Sequence, residues 1–375
     1  MSSVLIPMGT RPEIIKLSPV IRALRDGGLA VRTVATGQHY DANLTDSFFA
    51  ELRVAPDVRW TLEGSESARL GQLVAAAEDE IATGRPDLVL ILGDTNTVPV
   101  FCLAARRHRV PVAHLEAGMR SFNETSVEEV NRRVAAACAS LHLAPTELAA
   151  RFLRAEGVSP ERIQVVGNPI IDVLRASGLT AVPSRERSGV VVTAHRATNV
   201  DDPARLGAIV TIICALAETI GPVTLPVHPR TRRRLAEFGL TGRLASPRIQ
   251  LIEPVGYSAM LSLLQRACLV VTDSGGLQEE TAWFKVPTLV LRRSTPRWEG
   301  ISAGFATLVG LDVQLVLDTA AAAVTPEALA RLETQACPYG DGFTAARVAR
   351  LLADPGLRRL IRPAEPDFVG KPVPT

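Results

Sequence analysis

Several short apolar runs in this chain end on a residue able to move protons: LVLILGD on Asp94, PVAHLE on Glu116 and GVVVTAH on His195. Each run has the length of a buried strand. Its last residue then lies at a strand's carboxyl end, where parallel sheets present ligand-binding groups. Carboxylates there suit general acid–base work, and a histidine suits proton transfer near neutrality. A structural cap accounts for either carboxylate alone equally well. In SVEEVNRR, Ser126 and Glu129 have capping-box spacing, which leaves Glu128 for other duty. An anion grip is offered by Asp273-Ser274-Gly275-Gly276, which turns from LVVT into LQEETAWF. Amides beside glycines admit a phosphate closely, although a plain turn capped by Ser274 fits the same residues. Arg11 and Lys16 in GTRPEIIK place cations at the first strand-to-helix turn, to meet a diphosphate or to form a solvated helix face. His228, Arg292 and Arg297 add polar groups near later strand ends.

The elements that must position these residues alternate along the chain. VLIPM leads to the helical pattern PEIIKLSPVIRAL, then VRTVATG, LVLILG, PVAHLE, LHLAP and IQVVG. The second half restarts with GVVVTAH, PVTLPVH, IQLIEP, LVVTDS and TLVLR. Buried strands alternating with amphipathic helices predict parallel sheets covered on both faces. Between the halves, GNPIIDVLRASGLTAVPSRERSG reads as the interdomain link. The proline-rich end, RPAEPDFVGKPVPT, reads as an ordered crossing followed by a loose tail. Two doubly wound α/β domains facing each other across a cleft are expected.

A length of 375 residues suits two domains. The formal net charge of +2 and 4% aromatic content give no support to nucleic-acid binding. Five scattered cysteines without a CxxC pair signal neither a zinc site nor a disulfide framework. No signal peptide is evident, and the longest apolar runs fall short of the ~20 residues of a membrane span. A cytoplasmic protein is expected. Neither half carries GxGxxG or GxxxxGK[ST], so a nicotinamide or flavin cofactor is not expected.

Taken in series, GTRPEIIKLSPV, TGQHYD, GDTNTV, HLEAGMRSFN, EEVNRR, LAPTE, GNPIIDVL, TAHR, PVHP, DSGGLQEET and AGFATLVG resemble the non-hydrolysing UDP-N-acetylglucosamine 2-epimerase family, colinearly from Val4 to about Gly310. The resemblance implies a GT-B type chain. Its N-terminal Rossmann-like domain would span 1–170 and its UDP-binding domain 171–354, with about 355–375 packing back on the first. It implies UDP-GlcNAc, UDP-ManNAc and UDP as ligands, no cofactor or metal, and a homodimer. The catalytic positions fall on Asp94, Glu116, Glu128 and His195. Nucleotide-binding positions fall on Arg11, Lys16, His228, Ser274, Gly275, Gly276, Glu280 and Arg297.

The chain also departs from the family pattern. His195-Arg196-Ala197-Thr198-Asn199 stands where HRREN is usual, and Thr295-Pro296-Arg297-Trp298-Glu299 replaces TERPE. Ala136-Ala137 stands for an Asp-His pair. Gln38, His39 and Arg196 match parts of an activating second UDP-GlcNAc site, but the segment after GSES is altered, so weakened substrate activation is expected. These changes suit a specialised member supplying an amino sugar. Three alternatives stay open: the hydrolysing relative that releases ManNAc and UDP, the same chemistry on a modified UDP-sugar, and a GT-B glycosyltransferase.

Overall fold

The computed structural model describes residues 2–37, 49, 54–363 and 365. Gln38 and His39 lie outside the described residues, as do 364 and 366–375 of the proline-rich end. The chain divides into two compact units. The first comprises 1–119, 124–166 and 345–375, and the second 120–123 and 167–344.

The first unit is built on a seven-stranded parallel sheet of order β3-β2-β1-β4-β5-β6-β7. Its strands are β1 (Ser3–Met8), β2 (Ala30–Ala35), β3 (Val58–Arg59), β4 (Leu88–Leu92), β5 (Val112–Leu115), β6 (Leu141–Ala144) and β7 (Ile163–Val165). The middle strands are covered on both faces, so every residue of β4 and β5 is buried; β4 reads as an unbroken apolar run, and His114 interrupts β5. The helix Arg11–Asp26 follows β1 and buries Ile14, Leu17, Ile21 and Leu24, one stripe at helical spacing. Pro19 lies inside it and cannot donate to the Ile15 carbonyl four residues back. The Ser18 hydroxyl donates to that oxygen instead, at 3.0 Å.

The second unit repeats the plan with six parallel strands ordered β10-β9-β8-β11-β12-β13. They are β8 (Val190–Thr193), β9 (Val223–Pro226), β10 (Ile249–Ile252), β11 (Leu269–Thr272), β12 (Thr288–Val290) and β13 (Ala306–Leu308). The apolar helix Pro203–Thr219 packs on this sheet. Asp202 caps it by accepting from the amides of Ala204 and Arg205. The stretch read as a link is largely structured: Pro169–Ala176 is a helix of the second unit with Ile170, Ile171 and Leu174 buried. Its Pro and Asn mark the helix start, where Asn168 accepts from the Ile170 amide.

Both sheets reverse their winding beside the first strand, between β1 and β4 and between β8 and β11. Loops leaving such a pair run in opposite directions and open a crevice at the strands' carboxyl ends.

Candidate functional site

In the first unit, Asp94 and Glu116 lie on touching loops after β4 and β5, and Glu128 lies on the helix whose Arg132 reaches Asp94. Asp94 follows β4 through the turn at Gly93, whose φ is +75°. Its side chain is 35% exposed, and its carboxylate pairs with the Arg132 guanidinium. Asn131 donates to the Asp94 carbonyl at 2.9 Å and to Asn96 at 3.2 Å. Glu116 follows β5 with φ +64°, a left-handed backbone that a non-glycine residue adopts at a cost. Its carboxylate is buried and meets Lys16 Nζ at 2.5 Å. A Cβ added at Gly93 would lie 3.6 Å from Glu116 Oε2, so the two loops touch. Glu128 is half-buried in the first turn of the helix Val127–Cys138.

Two expectations change here. Ser126 and Glu129 do not form a capping box: the Ser126 hydroxyl donates to Glu128 Oε2 at 2.5 Å, and Glu129 turns inward. Glu129 is 1% exposed and receives Arg132 Nε and Nη2 at 3.0 and 2.7 Å. Arg132, absent from the sequence-based site list, thus joins buried Glu129 to Asp94. Lys16 belongs to no solvated face, since it lies buried against Glu116. Arg11 sits half-buried at the helix start.

Glu13 was also missed. It is 4% exposed, and its Oε2 accepts from the amides of Gly9 and Thr10 at 2.7 and 2.6 Å and from the Thr10 hydroxyl at 3.1 Å. Its Oε1 accepts from the Thr95 hydroxyl at 2.8 Å. Burial outweighs these donors and pushes its carboxyl up to about 7.

In the second unit, His195 leaves β8 beside Asp273, which leaves β11. Asp273 is fully buried and accepts from the amides of His195 and Arg196 at 3.1 and 3.0 Å, and from Asn199 Nδ2 at 3.1 Å. Its carboxylate also meets His195 Nδ1 at 3.1 Å. Burial raises the Asp273 pKa, but His195, the Arg196 amide and Asn199 together hold it below its usual range. An aspartate on Nδ1 fixes the ring and assigns the second nitrogen, Nε2, to a ligand. The His228 ring centroid lies 5.8 Å from that of His195. Burial, then the charges of His195 and Arg230, lower its pKa.

A cavity of about 220 Å³ brings His195, His228 and Ser274 together with the apolar walls of Pro254, Val255, Met260 and Leu277. The expected grip residues divide around it. A Cβ at Gly275 would sit 2.7 Å from Arg297 Nη1, so this glycine admits the guanidinium, whereas the space over Gly276 is open. Arg297 Nε lies 2.9 Å from Glu279 Oε1, and Asn168 donates to the same oxygen at 3.1 Å. The two adjacent glutamates therefore separate. Glu279 is buried against Arg297, while Glu280, 5% exposed, lies beside the Tyr257 hydroxyl, whose pKa rises through burial and the Glu280 charge. Arg196 is half-buried.

Two doubly wound parallel-sheet units in one chain define the GT-B class. The family model for UDP-N-acetylglucosamine 2-epimerase matches residues 22–353. The UDP-N-acetylglucosamine 2-epimerase of Methanocaldococcus jannaschii is 37% identical over 92% of this chain and 98% of its own length. The UDP-2,3-diacetamido-2,3-dideoxy-D-glucuronate 2-epimerase of Pseudomonas aeruginosa is 35% identical over 93% and 99%. The crystal structure of the Methanocaldococcus jannaschii UDP-GlcNAc 2-epimerase in complex with UDP-GlcNAc and UDP matches with a TM-score of 0.84, covering 94% of this chain and 99% of that one. The chain belongs to the UDP-N-acetylglucosamine 2-epimerase family, a family of isomerases.

Proposed function

We propose that the protein interconverts UDP-GlcNAc and UDP-ManNAc at C2 without hydrolysis. No carbonyl adjoins C2, so its proton is not acidic in the substrate. Breaking the C1–O bond makes C1 cation-like and acidifies the C2–H. A carboxylate takes that proton, giving UDP and 2-acetamidoglucal. A second acid returns a proton to the opposite face of C2, and UDP re-adds at C1. Such a route needs acid–base groups on both faces and donors for the departing diphosphate.

The observation that carries this reading is the carboxylate trio of the first unit. Asp94 and Glu128 are the partly exposed members, able to meet a substrate carbon. Glu116 is buried against Lys16 and sets the local field. In the second unit, His195 oriented by Asp273 suits charge on the leaving phosphate. The apolar walls of the cavity suit a pyrimidine base, and Arg297 over Gly275 suits the diphosphate. We place the enzyme in the cytoplasm, as a homodimer.

Incubation with UDP-GlcNAc in deuterated water tests this reading. Deuterium at C2 with UDP-ManNAc appearing supports it. Free ManNAc with UDP assigns the hydrolysing outcome, and no exchange removes both. The 35% identity to the diacetamido-glucuronate enzyme favours one second reading, the same chemistry on a modified UDP-sugar. Faster turnover of that sugar nucleotide than of UDP-GlcNAc selects it.

A further inference from the structure

We propose that Glu13 is a positioning residue for proton transfer: its carboxylate fills the turn after β1 and, through Thr95, fixes the loop that carries Asp94. The inference rests on the reading of Asp94 as an acid–base group. Glutamate at the third helical position ordinarily completes a capping box at the surface, with its partners inside one turn. Thr10 and Glu13 form such a box. Capping alone, however, requires neither near-complete burial nor a partner 82 residues away in sequence, and Glu13 has both. Burying a carboxylate is costly, and the donors of Gly9, Thr10 and Thr95 offset only part of that cost.

The location makes the bond to Thr95 consequential. β1 and β4 are neighbours whose loops diverge, and Glu13 bridges those loops at the reversal. Thr95 is the residue after Asp94. Across the same loop, Arg132 holds the Asp94 carboxylate and Asn131 its carbonyl. The loop is thus held from the Arg11–Asp26 helix on one side and from the Val127–Cys138 helix on the other. Releasing the first tie leaves Asp94 paired with Arg132 but free to swing about that contact.

The second unit contains an independent parallel. There Asp273 bridges the loops of β8 and β11 and accepts two amides, those of His195 and Arg196, from the turn after the first strand. Glu13 accepts the Gly9 and Thr10 amides at the equivalent turn of its own unit. In each unit a protein carboxylate occupies the place where a mononucleotide fold usually receives a phosphate.

The test uses the full-length protein and C2–H exchange of UDP-GlcNAc in deuterated water. Thr95→Val keeps the shape and removes the hydroxyl, whereas Thr95→Ser keeps the hydroxyl. A misplacement near 1 Å predicts that Thr95→Val slows exchange about 100-fold, with UDP affinity and melting temperature close to the parent's. Thr95→Ser recovers most of the rate. Glu13→Gln presents an amide to the Gly9 and Thr10 donors, and combined with Thr95→Val it adds little further loss. Exchange in Thr95→Val at the parent rate, or fully additive losses in the double variant, overturns the inference while the functional reading stands. A parent enzyme that exchanges no C2–H overturns both.

Discussion

Replacing Lys16 with methionine separates a solvated-face lysine from one that neutralises a buried acid. Lys16 and Glu116 are 5% and 6% exposed, and Nζ lies 2.5 Å from Oε1. Methionine fills much of the same volume but leaves the carboxylate without this cation. Removing one partner of a buried pair typically costs about 3–5 kcal/mol, because the remaining charge has lost both water and its counter-ion. Glu116 also holds a left-handed backbone, φ +64°, that itself costs about 1–3 kcal/mol and persists only while its surroundings fix it. Loss of the ammonium therefore weakens the constraint on that strained turn as well as the pair.

Urea denaturation at neutral pH reads the effect. The unfolding free energy of Lys16→Met should fall by about 3–5 kcal/mol, with the denaturant slope unchanged. Adding Glu116→Gln removes the orphaned charge, so the double variant should be more stable than Lys16→Met alone. A Lys16→Met protein within about 1 kcal/mol of the parent, the range of an exposed pair, would refute the argument.

Three further perturbations are informative. Gly275→Ala places a Cβ 2.7 Å from Arg297 Nη1 and 3.1 Å from Cζ; it should push the guanidinium off Glu279 and weaken UDP about tenfold by calorimetry, the scale of one lost charged hydrogen bond. Unchanged affinity would mean that Arg297 does not hold the diphosphate. Asp273→Asn keeps an acceptor for the backbone amides but removes the charge beside His195 Nδ1, so kcat should drop by about 10²–10⁴ while UDP still binds; a parent-like kcat would sink that role. For Glu13, the folded carboxyl sits at about 7 against 4.5 for the free group, and the groups hydrogen-bonded to it, from Gly9, Thr10 and Thr95, carry no charge. The folded chain then holds more protons than the unfolded one between those values. Glu13's contribution to stability should accordingly decline by about 3 kcal/mol as pH rises from 4.5 to 7, so the stability difference between the parent and Glu13→Gln should carry that slope. Parallel pH profiles of the two proteins would contradict the shift.

The strands were legible because central strands of parallel sheets are mostly apolar, so LVLIL, LVVT and VVVT announce themselves. The residues at their ends were legible for the same reason. Partners were harder to read, because partner choice depends on which side of a turn faces the neighbouring loop. Capping-box spacing occurs at Thr10–Glu13 as well as at Ser126–Glu129. It was read at Ser126–Glu129, where Arg132 captures the glutamate, and overlooked at Thr10–Glu13, where the box forms. Arg132 itself lay in EEVNRR, but sequence alone cannot distinguish an exposed helical arginine from one reaching back to the β4 loop. Asp273 was read as part of a glycine turn, although its place between a strand and two glycines was the available signal.

The missing dinucleotide fingerprint follows from the same geometry. Glycines in that motif exist so that a mobile phosphate can approach the amides after the first strand. In this chain those amides already face a side-chain carboxyl group: Gly9 and Thr10 face Glu13, and His195 and Arg196 face Asp273. A tethered carboxylate needs less room than a phosphate and is always present, so the turn can carry Arg11 or His195 where glycine would otherwise be required. The glycines that remain sit after β11, where Gly275 makes room for Arg297 and open space lies over Gly276. Under the proposed function, a ligand phosphate would meet the fourth strand of the second unit instead of its first. Each first-strand turn is left to hold side chains still, which proton transfer at a fixed carbon demands.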